Sequence, residues 1–448
     1  MAKFFGTDGV RGLANAGKMT PASMMRLGQI AGQYFISETG GKSSAVIGKD
    51  TRMSGDMIEA ALIAGLTSAG MDVKRAGVIP TSGVSLMTKG LRADLGVMIT
   101  ASHNKYPDNG VKFFGPDGCK LSDKAEADIE ALLAEGNEGF VPSAELGRVS
   151  SVEGLQARYI EICKSTLPAG QTLSGLKIVV DAAHGAAHAT AAATLWELGA
   201  EAVIPIGVSP TGENINAGCG STATALLSET VVLHGADVGV ALDGDADRLI
   251  MCDENGKVID GDQLLGLIAA SWKAQGRLTA PGIVATVMSN LGLEQYLEAH
   301  DMTLIRTPVG DRHVAARMRQ DGYNVGGEQS GHLLMTEYSP TGDGTMAAIQ
   351  ILAEIKRQGR PASEVLDVFK PVPQILKNVR YTGESPMGHP DLIAAIEVAE
   401  KALSGQGRVL IRASGTEPLI RVMVEGVDVN ETQSKVDDLV IVIETIIG

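Results

Sequence analysis

Three aspartates stand at alternate positions in ALDGDADR, where Asp243, Asp245 and Asp247 follow the apolar run VGVAL. Carboxylates this close repel one another unless a cation sits among them, and an oxygen-only set suits a hard ion such as Mg²⁺. A second reactive stretch is TASHNKYPDNGVKFF, which sets Ser102 and His103 in a turn-rich loop between two apolar runs. A serine hydroxyl is a weak nucleophile without a base, a metal or an anion-stabilising pocket.

Other readings of the aspartates must be weighed. An EF-hand loop would match the three aspartates and Glu254, but its sixth position requires glycine and here holds Arg248, followed by strand-like LIM. A dehalogenase-type D-x-D motif would make Asp243 the nucleophile and fits except at Asp247. A solvated acidic turn is the plain alternative. Likewise His103 is not automatically a base for Ser102, because adjacent residues do not normally face each other.

Two further stretches could bind a sugar phosphate. In VLIRASGTEPLIRV, Arg412 and Arg421 flank Ser414-Gly415-Thr416. Such a turn exposes backbone N–H groups and hydroxyls while arginine forks phosphate oxygens, although SGTE is also ordinary hairpin chemistry. In GGEQSGH, Glu328 and Ser330 alternate, so an extended segment would point both to one side and let them grip vicinal hydroxyls. A solvated glycine-rich loop is the competing reading. Arg11 in FGTDGVRG reads by itself as a surface cation. His184 in DAAHG reads as a strand-to-helix turn. KDTRMSGD, with Lys49, Arg52 and Ser54, reads as a turn and helix N-cap.

These loops need elements to hold them. VIGKD, KIVVDAAHG and GIVATVMSN each begin a strand, polar turn, amphipathic helix, strand pattern, the βαβ unit of a parallel-containing sheet. Recurrence at roughly one domain's length predicts three related α/β domains. NVRYTG, a helix over DLIAAIEVAEKAL, two strands around the arginine loop and a last helix predict a smaller C-terminal α+β domain. EGNEGFVPSAELG and the proline-bearing DVFKPVPQ mark breaks. The expected divisions are 1–150 with the serine loop, 151–255 with the aspartate loop, 256–367 with the Glu328 loop and 368–448 with the arginine loop.

Composition narrows the partners. The 448 residues are 44% hydrophobic and 20% charged, as in a soluble globular protein, and are too many for one core. A net charge of -15 argues against nucleic acid or an anionic membrane surface, though local arginines still admit an anionic ligand. Cys119, Cys163, Cys219 and Cys252 show no C-x-x-C spacing, so free thiols in a reducing compartment are expected. No secretory signal or membrane span is visible, and a cytoplasmic protein is expected.

Taken jointly, a serine loop, a D-G-D-x-D-R loop, a G-E-x-S-G loop and an R-A-S-G-T-E-P loop occur in this order, each in a different expected domain. The chain thereby resembles the α-D-phosphohexomutase superfamily over essentially its whole length. FGTDGVRG, DNGVKFF and GEQSGH resemble its glucosamine-phosphate branch. The resemblance implies four domains around a central cleft. It also implies interconversion of glucosamine 6-phosphate and glucosamine 1-phosphate, toward UDP-N-acetylglucosamine, through a bisphosphorylated sugar. Ser102, with His103 beside it, would be the phosphoserine. Asp243, Asp245 and Asp247 would hold one Mg²⁺ together with a Ser102 phosphate oxygen. Arg248 would neutralise the transferred group, and Lys112 and Arg11 would serve proton transfer and charge near the serine. Glu328 and Ser330 would grip the sugar; Arg412, Ser414, Gly415, Thr416 and Arg421 would hold the distal phosphate. A sugar bisphosphate would act as activator, and a homodimer is implied. Gln329 and His332 are candidates for tuning the choice of sugar. One departure is visible: the superfamily loop usually reads S-H-N-P, whereas Asn104 is followed here by Lys105-Tyr106. Mutases of mannose or glucose phosphates, a dehalogenase-type phosphatase and a non-catalytic sugar-phosphate sensor remain as alternatives.

Overall fold

VIGKD, KIVVD and GIVAT become the central strands of three sheets in the computed structural model, which describes residues 4–6, 8–39, 42–136, 139–383, 385–403, 406–413 and 418–447. The first sheet contains β1 (Val10–Leu13), β2 (Ser44–Lys49), β3 (Asp72–Val78), β4 (Leu95–Ile99), β5 (Asp108–Phe114) and β6 (Val149–Ser151), in the order β1-β5-β4-β2-β3-β6. The second contains β7 (Lys177–Asp181), β8 (Ala202–Ile206), β9 (Val238–Leu242), β10 (Leu249–Asp253) and β11 (Val258–Ile259), in the order β11-β10-β9-β7-β8. The third contains β12 (Gly282–Thr286), β13 (Thr303–Thr307), β14 (Val325–Gly327) and β15 (Leu333–Met335), in the order β13-β12-β14-β15.

One pattern underlies all three. The central strand runs parallel to a neighbour on each side: β2 to β3 and β4, β7 to β8 and β9, β12 to β13 and β14. The next strand then returns antiparallel, β5 on β4, β10 on β9 and β15 on β14. Parallel strands covered by helices on both faces read as unbroken apolar runs, and β4, β9 and β12 are buried at every residue. The serine, aspartate and Glu328 loops therefore occupy one topological position, the turn into the return strand.

The fourth sheet is wholly antiparallel, with β16 (Gln374–Arg380), β17 (Gly407–Ala413) and β18 (Leu419–Gly426) in the order β16-β18-β17. Helices Pro390–Ala402 and Val429–Ile447 cover it. Its core, including Leu392, Ile420, Val422 and Val436, is a cluster of its own, whereas one large cluster runs through the other three units from Val46 to Val180 and Ile283. The last unit is thus docked rather than fused. Arg408 donates to the carbonyls of Val287 (2.8 Å) and Ser289 (2.6 Å), and Asn290 Nδ2 donates to the Val372 carbonyl (2.9 Å). All four cysteines are free; three are buried and Cys119 is partly exposed. Among the described residues no helix is long and apolar enough to cross a membrane.

Candidate active site

After β4 the chain turns through Ser102, a non-glycine residue in the left-handed region at φ 52°. Its hydroxyl is buried and donates to Asp243 Oδ2 at 2.7 Å, across 141 residues of sequence. Contact this close needs Gly244, since a Cβ there would lie 2.6 Å from the Ser102 carbonyl oxygen. Asp243, Asp245 and Asp247 follow β9, all buried, and each offers a carboxylate oxygen within 4.8 Å of the others. Among the described residues Asp245 Oδ1 and Asp247 Oδ1 have no hydrogen-bond partner. Three converging buried carboxylates with unfilled acceptors fit a hard divalent cation.

The surrounding charges are consistent with that fit. Burial, then Asp247 and Asp245, push the Asp243 carboxyl well above its ordinary range, so the trio does not hold three negative charges unaided. Lys112, from β5, places its ammonium 2.9 Å from Asp245, 3.0 Å from Asp247 and 3.2 Å from Asp8. Burial favours the neutral amine, but the carboxylates outweigh it and hold the lysine charged. His332 Nδ1 lies 3.5 Å from Asp247 and its Nε2 3.2 Å from Asp311, while Lys120 bridges Asp8 and Asp311.

Around the serine, His103 Nδ1 lies 3.4 Å from the Ser102 hydroxyl. Burial, then Arg248 and Arg11, lower its pKa to about 4, so it is neutral at pH 7. The Arg248 backbone N–H donates to Asp243 Oδ1 at 3.2 Å, and Arg11, on β1, lies 3.5 Å from Asp8. Lys105 is exposed, and the carbonyl rather than the ammonium of this residue is held, by Arg52.

Of the two readings of GEQSGH, an extended segment or a glycine-rich loop, the structure has the loop, folded as a tight turn. The Gly331 N–H donates to the Glu328 carbonyl (2.9 Å), and Gly331, at φ 89°, touches Leu249 so closely that a Cβ would lie 2.1 Å from its oxygen. The turn still brings Ser330 Oγ to 3.4 Å from Glu328 Oε2. It is pinned beside the aspartate loop by the Leu249 N–H on the Gly331 carbonyl (2.9 Å), and Glu328 lies near enough to raise the pKa of Arg248. His332 is committed to the two aspartates, and Gln329 donates to Asp260 at 3.2 Å.

Arg412 and Arg421 face each other across the β17–β18 hairpin. The Nε of each is buried without a partner among the described residues, and burial, then Arg421, lower the pKa of Arg412. Ser414, Gly415 and Thr416 lie outside the described residues. Ser102, His103, Arg11, Lys112, Arg248, the aspartates and the Glu328 turn thus form one connected cluster. No hydrogen bond or ion pair among the described residues joins the two arginines to it.

KDTRMSGD is, as read, the turn before a helix, Gly55–Ser68, with Ser54 at its N-cap position. Ser54 caps nothing with its side chain and instead accepts from Asn109 Nδ2 at 2.8 Å. Arg52 is buried against the serine loop, and Asp50, Thr81, Asn216, Asp8 and Asp311 also support the cluster. Their only local signal was the carboxylate two residues before Arg52.

Known proteins agree with this architecture. The chain matches the family models for phosphoglucomutase/phosphomannomutase α/β/α domain I at residues 2–139, domain II at 157–256, domain III at 260–372 and the C-terminal domain at 376–441. It is 57% identical to the phosphoglucosamine mutase of Maricaulis maris, covering 99% of each chain, and 56% identical to that of Sphingopyxis alaskensis, covering 98% of each. A phosphoglucomutase/phosphomannomutase family protein from Burkholderia thailandensis superposes with a TM-score of 0.82 at 21% identity, covering 99% of this chain and 97% of the other. The Aspergillus fumigatus N-acetylphosphoglucosamine mutase, solved with GlcNAc-6P and magnesium, gives 0.67 at 17% identity, covering 99% and 96%. With every domain model matched in order and relatives this similar end to end, the chain belongs to the phosphoglucomutase/phosphomannomutase family of phosphohexomutases.

Proposed function

We infer that this chain interconverts glucosamine 6-phosphate and glucosamine 1-phosphate through a phosphorylated Ser102. The observation that carries the reading is the buried Ser102 hydroxyl 2.7 Å from one member of a three-carboxylate cage. Relatives 54–57% identical over nearly their full length, named phosphoglucosamine mutase, support the choice of sugar.

In this reading phosphoserine 102 gives its phosphoryl group to the free hydroxyl of the bound sugar phosphate, making a bisphosphate. The sugar turns over, and its other phosphate returns to the Ser102 oxygen. Asp243, Asp245 and Asp247 would hold Mg²⁺ with an oxygen of that phosphate. When bound, the ion supplies charge neutralisation for in-line transfer. Arg248, beside the cage, and Arg11 spread the remaining negative charge. Lys112 is ion-paired as the structure stands, which suits a cation that gives up a proton only when its partners are re-engaged. His103, held neutral, contacts the serine oxygen. Glu328 and Ser330 grip hydroxyls that lie similarly in both orientations of the sugar. Arg412 and Arg421, with residues 414–416, hold whichever phosphate is not reacting, and the docked fourth unit closes over it to exclude water. The four free thiols suit a cytoplasmic setting.

The test is turnover of glucosamine 6-phosphate with Mg²⁺ and a trace of glucose 1,6-bisphosphate as activator, followed by phosphorus NMR, with phosphosite mapping of the protein. Glucosamine 1-phosphate should form, and the label should sit on Ser102. Greater kcat/KM for mannose or glucose phosphates would reassign the substrate. A dehalogenase-type phosphatase would release inorganic phosphate and tolerate Ser102→Ala. The relatives do not favour it, and Asp243 Oδ2 is occupied by the serine hydroxyl.

A further inference from the structure

We propose that Arg52 and Asn216 form a two-domain clamp that positions Ser102 for phosphoryl transfer. This rests on Ser102 being the phosphoryl carrier. Ser102 sits at φ 52°, a conformation that costs a non-glycine residue free energy unless its surroundings impose it. The imposition comes from its own peptide groups. Its N–H donates to Thr100 Oγ1 (2.9 Å), whose hydroxyl donates to Asp50 (2.7 Å). Its carbonyl accepts from Arg52 Nη2 (2.9 Å) and Asn216 Nδ2 (2.8 Å).

Arg52 uses its whole fork. Nη2 also donates to the Asn104 carbonyl (2.7 Å), Nη1 to those of Lys105 (2.6 Å) and Asp108 (3.0 Å), and Nε to Asp50 (2.9 Å). Five N–H groups meet five acceptors, four of them carbonyls of the serine loop. The guanidinium is buried, and the carboxylate of Asp50 pairs with it. Lysine, with three donors on one point charge, could not reproduce this set.

Asn216 reaches the same peptide from the second unit. It is buried, itself left-handed at φ 57°, and its Nδ2 donates to the Ser102 and Asn104 carbonyls (2.8 and 3.0 Å). Gly244, between Asp243 and Asp245, presses on both: a Cβ there would lie 2.6 Å from the Ser102 carbonyl and 2.7 Å from Asn216 Nδ2. The carbonyl is therefore gripped from the unit that carries the serine and from the unit that carries the aspartates. How the two units seat on each other sets where the nucleophile stands over the cage. Neither side chain touches the reacting atoms, so both are positioning residues.

The experiment compares wild type, Arg52→Lys, Arg52→Ala and Asn216→Ala in steady-state turnover of glucosamine 6-phosphate, and in phosphate uptake onto Ser102 from glucose 1,6-bisphosphate read by intact mass. An ångström of misplacement costs about 10²-fold in rate. Arg52→Lys should lose about that much in kcat and in phosphate uptake, with KM within about threefold; Asn216→Ala should lose about tenfold in the same pattern. Millimolar guanidinium should restore Arg52→Ala at least in part, which a general loss of fold would not allow. Wild-type kcat in Arg52→Lys, or a loss confined to KM, overturns the clamp. If the Arg52 variants do not fold, an unchanged kcat in Asn216→Ala overturns it. A wild type that takes phosphate onto Ser102 but does not convert glucosamine phosphates overturns the proposed function instead, and the uptake rates still judge the clamp.

Discussion

The Ser102–Asp243 seam and the Arg412–Arg421 hairpin differ in what they leave unmet among the described residues, chiefly carboxylate oxygens at the first and guanidinium donors at the second. At the seam Lys112 meets three carboxylates, Asp245 Oδ2 accepts from Thr81 (2.6 Å) and Lys112, and the serine loop is bonded peptide by peptide, while Asp245 Oδ1, Asp247 Oδ1 and Arg248 Nε have no hydrogen-bond partner among the described residues. At the hairpin two guanidiniums face each other with like charge, and both Nε atoms are buried and unpartnered among the described residues. A seam whose serine and lysine are already placed, with carboxylate oxygens of the cage left open for a cation, costs little reorganisation during reaction. A hairpin that carries unmet donors gains most when an anion binds. The chain is prepared for chemistry at one end and for binding at the other.

Four experiments would break or sharpen that contrast. The largest effect belongs to the seam: Ser102→Ala should lower mutase turnover by on the order of 10⁴-fold or more while calorimetry still detects glucosamine 6-phosphate. Normal turnover in that variant would remove the seam from the reaction. Next is the cage. Mg²⁺ at a hundred times its dissociation constant should add about 2.7 kcal/mol to stability, read as a rise in Tm, and Asp245→Asn should abolish that rise. An equal rise in both proteins would place the ion elsewhere.

At the hairpin, Arg421→Ala should raise KM for glucosamine 6-phosphate by about 10- to 100-fold, the worth of charged hydrogen bonds. Its Tm without ligand should hold or rise, because the change relieves the repulsion felt by Arg412. A lowered Tm with unaltered KM would make the arginines structural. The smallest effect concerns the platform on which the fourth unit rests. Asp262 accepts the Asn290 N–H (2.8 Å), and burial, then Asp260, raise its pKa to about 7. The folded protein therefore keeps a proton that the unfolded chain has lost, so stability falls as pH rises from near 4 toward 7. Asp262→Asn should flatten that decline by on the order of 1 to 2 kcal/mol across pH 5 to 8, measured by urea unfolding. Parallel pH slopes would show that the carboxyl ionises freely.

Much of the frame was legible because it rests on local periodicity. The βαβ repeats, the smaller α+β last unit and the turns bearing Ser102 and the aspartates all follow from apolar runs and punctuating loops. What escaped is long-range. Arg52 donates to carbonyls 50 to 56 residues away and Asn216 to carbonyls 112 and 114 away, and any residue has a carbonyl, so no side-chain spacing announces such bonds. The Asp8–Lys120–Asp311–His332 chain escaped for the same reason, its members lying on different units. The path of GEQSGH stayed open between an extended segment and a glycine-rich loop, because alternation implies a shared side only in a strand and Gly331 lets the backbone fold back.

Three loops placed alike on three separate scaffolds also govern how such a molecule can diversify. In the 328–332 turn Gly331 and His332 are tied to the aspartate loop, whereas Ser330, exposed at the tip, has room to change toward another hexose while the covalent step is left intact. The serine and aspartate loops enjoy no such liberty, since each forms a wall of the other across a shared boundary. Selectivity is therefore the adjustable trait of this architecture, and reactivity the inherited one.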